Sequence, residues 1–463
     1  MGSERKGHAH AMTRPDQVPA ERYYDREFYE LECERLWPRV WQMACRLEEI
    51  PKPGDFVEYE NVGQSVIVIR QEDDSVKAFH NTCRHRGTRL VENRGSCREG
   101  IVCPFHGWCW NLDGSNREIY APEMFDITDL DPKHLNLKEC RVELWGGSAF
   151  ICLDDGAPPL RDSIEPFATF HEARGVGRMR TEWWYSTVLP VNWKLAMEAF
   201  MESYHVARTH PQIVARKSGK GDGAKDGLTT RKVGEVMTRA ASSDEVIESS
   251  LYFMRTLGQG MDSMILEKDI RVAEGMRDLK LPDDPAEAAQ EWNRRLNDAI
   301  TSWNRRCGID LPDQNELTER GFVSVVNYCF PHFFLLPVYG NAAAYRARPL
   351  APEETLFEIW SLTMFPDGEE PKEPVRTPVP MAPDDPRWPE IPRQDFQNLP
   401  RQQAGLHSSS FHAMQLSGQI EGMISNYQRL IDGYLAGLGY EKLLPAVQQV
   451  SGPIDDSTKD LGF

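Results

Sequence analysis

The sequence predicts an α+β chain: a small all-β module over about residues 40–155, followed by a larger mixed domain over 156–463. Three observations carry that reading. At 463 residues the chain exceeds what one ordinary hydrophobic core holds together. Short β-rich runs, "DFVEYENV", "SVIVIRQ" and "SAFICLD", crowd between positions 55 and 154, with turn residues such as "DGS" (113–115) among them. Beyond them, strand-like runs combine with long stretches of helical periodicity.

Residues 1–39 are expected to form a helical segment that packs on the larger domain. Their opening, "MGSERKGHAHAMTRPDQ", is polar and lacks the apolar core of a secretory signal. Residues 225–320 are charged and read as mostly helical. In "EWNRRLNDAITSWNRRCG", Trp292, Leu296, Ala299, Ile300 and Trp303 fall on one stripe suited to packing, and Gly308 is a natural stop. From 322 to 365, "FVSVVNYCFPHFFLLPVYG", "NAAAYRARPL" and "TLFEIWSLTMF" read as strands. A Pro-rich connector (366–392) leads to a final long helix near 409–437, with Ile420, Met423, Ile424, Tyr427, Ile431 and Tyr434 on one face.

A formal charge of −18 argues against a nucleic-acid partner and an anionic membrane surface, since both need a positive footprint. No apolar run approaches the roughly 18 residues of a membrane helix. Ten cysteines are too sparse for a disulfide scaffold, so the chain reads as cytoplasmic with reduced thiols.

The densest chemistry lies in "NTCRHRGTRLVENRGSCREGIVCPFHGWCW" (81–110), which contains Cys83-x-His85 and, seventeen residues on, Cys103-x-x-His106. Four such side chains in loop-forming sequence suggest a metal. Cys₂His₂ is also a zinc set, but zinc motifs usually group two Cys and then two His. Here each loop supplies one of each, the mixture a two-iron Rieske cluster needs. The stretch closely resembles the Rieske signature, and that resemblance implies Cys83 and Cys103 on one iron, His85 and His106 on the other. Respiratory-chain Rieske proteins carry a further cysteine in each loop, at the positions of Thr88 and Phe105 here, so their bridging disulfide cannot form. The pattern resembles the oxygenase branch. Cys97 and Cys109 match no ligand position and read as ordinary thiols.

The second concentration is "NWKLAMEAFMESYHVARTHP" (192–211), an amphipathic helix closed by Pro211 and bearing Glu198, Glu202, His205 and His210. Glu202 and His205 are helical neighbours. His205 and His210 lie about 140° apart on a regular helix, so they share a metal only if the helix bulges or unwinds between them. Otherwise they are solvated histidines at a helix end.

"NWK" followed by E-x-x-H-x4-H resembles the mononuclear iron motif of Rieske non-haem iron ring-hydroxylating oxygenases. The resemblance implies that His205 and His210 are ligands and that Glu202 relays electrons, in a position where the family usually has Asp. It also implies a third ligand from "RQDFQNLPRQQAGL" (393–406), Asp395, with Asp384 and Asp385 as alternatives and a helix following. It implies a large (α) subunit whose antiparallel sheet grips the long C-terminal helix. Its cofactors would be a [2Fe-2S] cluster and a mononuclear Fe(II), with O₂ as co-substrate. NAD(P)H would act indirectly through a ferredoxin or flavin reductase, since no dinucleotide fingerprint is visible. A homotrimer, with or without a small β subunit, is expected. The substrate would be a small apolar molecule, aromatic or alicyclic, that is hydroxylated, dihydroxylated or demethylated. Met197, Phe200, Met201, Phe334 and Tyr339 are the candidate pocket lining. The competing reading is an electron-transfer protein whose second iron site has been lost.

Overall fold

The computed structural model describes residues 8–125, 132–214, 242–377 and 379–463. They form two compact units, Leu31–Ser163 and a second made of Met1–Glu30 with Ile164–Phe463. The divisions fall at 30/31 and 163/164, against the expected 39/40 and 155/156, and the first lies within helix α1 (Arg26–Arg35).

The first unit is an antiparallel sheet of seven strands: β1 (Gln42–Arg46), β2 (Asp55–Asn61), β3 (Gln64–Arg70), β4 (Val76–His80), β5 (Arg94–Ser96), β9 (Glu139–Trp145) and β10 (Ser148–Cys152). Their order is β1-β10-β9-β4-β3-β2-β5. A small sheet joins β6 (Ile101–Val102), β7 (Cys109–Trp110) and β8 (Asn116–Glu118). Strand β3 explains the apolar run "SVIVIR". Ile67 and Ile69 enter one core with Phe79, Cys83, Cys103 and Trp108, whereas Val66 and Val68 enter another with Tyr59, Cys140 and Ile151. A strand covered on both faces reads as continuous hydrophobicity rather than alternation.

The second unit is built on β11 (Arg180–Leu189), β12 (Asn327–Cys329), β13 (Phe333–Val338), β14 (Asn341–Ala351), β15 (Glu354–Thr363), β16 (Val375–Arg376) and β17 (Gly452–Pro453). The order is β16-β11-β15-β14-β13-β12-β17, antiparallel apart from the β11–β16 pair. Helix α2 (Trp193–Glu198) starts at Asn192, whose side chain accepts from Lys194 N–H at 3.0 Å. A short α3 (Val206–Thr209) follows. Helix α4 (Ser243–Met261) packs on α5 (Pro285–Arg306) through Trp292, whose indole N–H donates to Ser250 at 2.8 Å. The expected helix over 225–241 lies outside the described residues.

Two expectations need correction. The long C-terminal helix neither begins near 409 nor is the last: α7 covers Gly422–Leu435, and a further helix spans Tyr440–Val450. Residues Ala413–Gln415 instead pair with Gln17–Pro19, a tertiary strand pairing that overrides local periodicity and leaves Ile420 outside the helix. Asp395 does not precede a helix but sits inside α6 (Glu390–Leu406). The grip on α7 is real: Tyr427 donates to Pro331 O at 2.8 Å, and Tyr434 stacks on Phe330.

The sheet has two chemically distinct faces, because successive side chains alternate. On one, Arg346 makes two hydrogen bonds to Glu358, its cross-strand partner, at 2.7 and 2.9 Å, and Arg348 adds a third at 3.1 Å. Trp184 and Trp360 stack beside them at 4.2 Å. Burial alone would raise the Glu358 carboxyl, but Arg346 and Arg348 outweigh it and hold the group at about 2. That depressed value contributes stability above the ordinary value of 4.5 and is lost as pH falls through about 2. Glu358→Gln should destabilise the unit by about 3–5 kcal/mol in urea titrations at neutral pH. The variant should also lose the wild-type decline in stability between pH 4.5 and 2 that this group causes. A loss below about 1 kcal/mol would mean the ion pair is effectively solvated.

Candidate functional site: two metal-ligand groups

In the first unit, the loop after β4 and the loop between β6 and β7 repeat one turn. Cys83 N–H donates to Thr88 O and Cys103 N–H to Trp108 O, both at 2.8 Å. Gly87 and Gly107 close back onto the cysteine carbonyls at 3.0 Å. Both glycines have left-handed backbone, with φ of 79° and 71°, which a Cβ would strain. In this turn each sulfur accepts backbone N–H groups, from His85 and Arg86 on Cys83 and from Phe105 and His106 on Cys103. Such donors favour the thiolate that ligates a metal.

The two thiols are buried and hydrogen-bonded to each other, and the His85 and His106 rings lie 4.7 Å apart. His85 stacks on Trp108 at 4.8 Å, and its buried Nδ1 has no hydrogen-bond partner. A buried, unpartnered imidazole nitrogen beside two thiols is the donor arrangement a metal completes. The four residues therefore fit a cluster with two sulfur and two nitrogen ligands. Arg86, which sequence reasoning passed over, lies 3.2 Å from Nε2 of His106. Its position in "HRG" was its only signal. Thr88 bonds to the Cys103 sulfur, Phe105 is exposed, and all the cysteines are free.

In the second unit, the structure brings His205, His210 and Asp395 together, with one ligand atom of each within 4.8 Å of the others. Nε2 of His210 lies 3.0 Å from Oδ1 of Asp395, and Nε2 of His205 lies 3.9 Å from the same oxygen. The other oxygen of Asp395, Oδ2, is buried without a partner. The expected break between the histidines occurs, since α3 ends at Thr209 and His210 has φ −120° and ψ 55°, and a second break lies earlier. Helix α2 stops at Glu198, and residues 199–205 turn before α3, so Glu202 lies on no helix. Its carboxylate caps the next turn instead, with Oε2 accepting His205 N–H at 3.0 Å and Oε1 facing His205 Nδ1 at 2.7 Å. Nδ1 of His210 faces the Oε1 of Gln394 at 2.7 Å, an oxygen that also accepts from Gln212 at 2.8 Å.

A carboxylate and an amide oxygen only accept, so both histidines carry a proton on Nδ1 and turn Nε2 toward Asp395. The trio fits a two-histidine, one-carboxylate metal site. Burial pulls the His205 pKa down, but Glu202 and Asp395 more than offset it and raise it. Asp385 is taken by Arg387, which bonds it at 2.6, 2.9 and 3.0 Å, and Asp384 is exposed, so neither joins the trio.

The sheet face opposite Glu358 carries Phe334 and Tyr345, stacked at 4.4 Å. Phe200 meets both, at 4.9 and 5.0 Å, and Phe357 reaches Phe396, the neighbour of Asp395, at 5.9 Å. Met197 and Met201 are buried in α2 and the turn after it. Tyr339 does not belong with them. It occupies the β13–β14 turn at φ 52°, with Asp269 and Arg174 as its charged neighbours, and no ring contact joins it to Phe334. Tyr345, which the sequence reading omitted, takes that place. Its pKa is raised by burial and by Asp395.

Comparison with known proteins agrees with this geometry. The Rieske [2Fe-2S] domain model matches residues 40–129, and the ring hydroxylating alpha subunit (catalytic domain) model matches residues 170–437, more than half the chain. The chain belongs to the ring hydroxylating alpha subunit family. Membership brings a Rieske [2Fe-2S] cluster and a mononuclear iron that works with O₂.

The carnitine monooxygenase oxygenase subunit of Acinetobacter baumannii is 29% identical over 191 residues, 41% of this chain and 51% of that one. The large oxygenase component of the naphthalene 1,2-dioxygenase system of Pseudomonas aeruginosa is 34% identical over 196 residues, 40% and 42% of the two chains. The chain spans about half the length of the curated relatives it matches. Among solved structures, naphthalene 1,2-dioxygenase with bound indole superposes with a TM-score of 0.63 at 18% identity, covering 97% of this chain and all of that one. A quaternary ammonium Rieske monooxygenase with L-carnitine gives 0.57 at 18% identity, covering 91% and 97%. At that identity both show the fold.

Asp395→Ala should leave the Rieske absorption spectrum intact while iron at the second site is lost or binds ~10–100-fold more weakly. Cys103→Ser should abolish the visible absorption. An Asp395 variant that retains full iron would move the third ligand to another residue.

Proposed function

We propose that the chain is a terminal oxygenase component. Leu31–Ser163 would receive electrons from a separate ferredoxin or flavin reductase, and His205, His210 and Asp395 would hold iron where O₂ meets a small organic substrate. The convergence of those three side chains carries this reading against that of an electron carrier with a lost second site. The cluster supplies single electrons and the iron supplies O₂ activation. The protein's own residues then have definable tasks. Glu202 and Gln394 hold the Nδ1 protons of the two histidines and fix their rings. Phe200, Phe334, Tyr345 and Phe357 form an apolar wall that excludes water and suits a flat ring.

That wall supports an aromatic or alicyclic substrate. Among relatives, the names of two point to naphthalene and 2,4-dinitrotoluene, and others to carnitine and glycine betaine. A homotrimer would place Glu202 of one subunit beside His106 of the next and so link the two metal sites. The reading is tested by metal analysis and by O₂ uptake with a generic reductase, offering naphthalene and carnitine in parallel. About three irons per chain and substrate-stimulated uptake are expected, against two irons and no stimulation for a carrier.

Glu202→Gln keeps a hydrogen-bond acceptor but removes the charge. The fold, cluster spectrum and iron content should survive, while reoxidation of the pre-reduced cluster on adding substrate and O₂ slows ~10–100-fold. Single-turnover absorption measures this, and wild-type rates at full iron loading would remove Glu202 from the mechanism.

A further inference from the structure

Residues 8–30 lie outside both matched regions, yet one of their side chains reaches the helix that leads into the iron ligands. Tyr23 is fully buried, and its hydroxyl lies 2.8 and 3.0 Å from the two oxygens of Glu198. The amide nitrogen of Gln428, from α7, donates to the same carboxylate and to the Tyr23 oxygen at 3.1 Å. Arg22 fixes which way that amide points. Its Nε donates to Gln428 Oε1 at 2.7 Å and its Nη2 to the Gln428 carbonyl at 2.9 Å, so only the NH₂ end can face Glu198. Arg22 is itself paired with Asp432. The ammonium of Lys194 lies over the Tyr23 ring at 5.5 Å.

Glu198 is the last residue of α2, the point at which the helix stops and the turn carrying Glu202 and His205 begins. Its carbonyl accepts Met201 N–H at 2.9 Å, and Tyr328 donates to the neighbouring Met197 carbonyl at 2.9 Å. The helix end is therefore held from the N-terminal segment, the sheet and α7 together.

We propose that Tyr23 is a positioning residue for the mononuclear iron: by holding Glu198 it fixes the turn that presents Glu202 and His205, so the N-terminal segment is a working part of the metal centre. This rests on the metal reading above. Full burial pushes Glu198 up to about 7, with Gln428, Tyr23, Lys194 and Arg22 drawing it down, so each donor matters to a carboxylate that burial disfavours.

The test uses full-length protein from which a chelator has removed the mononuclear iron but not the cluster, titrated with ferrous iron alone. Ferrous-iron affinity is measured by equilibrium dialysis, and melting is followed with and without the metal. A ligand bound only by the folded state raises its stability in proportion to affinity. Tyr23→Phe should weaken ferrous binding ~10-fold, shrinking the metal-dependent rise in melting temperature more than it lowers the metal-free value. Glu198→Gln should do the same, and the double variant should bind no more weakly than the weaker single one. If Tyr23→Phe lowers the metal-free and metal-loaded forms equally, the hydroxyl is merely structural and the proposal fails. If wild-type protein gains nothing from ferrous iron, the metal reading fails, and this inference with it.

Discussion

The second unit is organised around one requirement: three polar side chains from two distant stretches of chain, two of them buried and His205 partly so, must meet within 4.8 Å. Two imidazole nitrogens and a carboxylate oxygen in an apolar interior are unfavourable unless each is paired. Without metal, the 3.0 Å contact between His210 and Asp395 meets part of that need, while Oδ2 of Asp395 remains unpaired. The surrounding fold can be read as what holds this arrangement in place. The sheet presents its aromatic face to Phe200 and Phe396, beside the two ligand-bearing stretches. Its other face is tied by the buried Arg346–Glu358 pair. An imidazole ligates only through an unprotonated nitrogen, so metal affinity would fall as pH falls.

The first unit meets a similar requirement by repetition. One backbone turn, used twice, aims a thiol and an imidazole from each loop at a common point, with glycine at the position that needs left-handed backbone. No cross-link ties the loops, since Thr88 and Phe105 occupy the places where cysteines would be needed. Backbone hydrogen bonds and core residues such as Trp108 hold them instead.

Much of this was legible in the sequence, and the failures are instructive. The convergence of Cys83, His85, Cys103 and His106 was legible because the two side chains of each loop lie within four residues, so a local turn decides their geometry. His205 and His210 were legible as types, but not the backbone between Glu198 and His205. That break is set by Tyr328, Gln428 and Tyr23, contacts no local pattern encodes. Asp395 could be named only through resemblance, because nothing local distinguishes it from Asp384 or Asp385. The C-terminal helix was overextended for a similar reason: Ala413–Gln415 are claimed by a strand almost four hundred residues earlier. Tyr339 was misplaced because strand periodicity cannot tell a residue in the sheet from one at the tip of its hairpin, where φ is 52°.

The two imidazoles of the trio are supported by chemically different neighbours, a carboxylate for His205 and a neutral amide for His210. A hydrogen bond to a full negative charge leaves more electron density on the ring than one to an amide carbonyl. His205 would consequently be the stronger σ-donor of the pair toward any cation the trio held. The trio is lopsided by construction, a distinction drawn by side chains outside it.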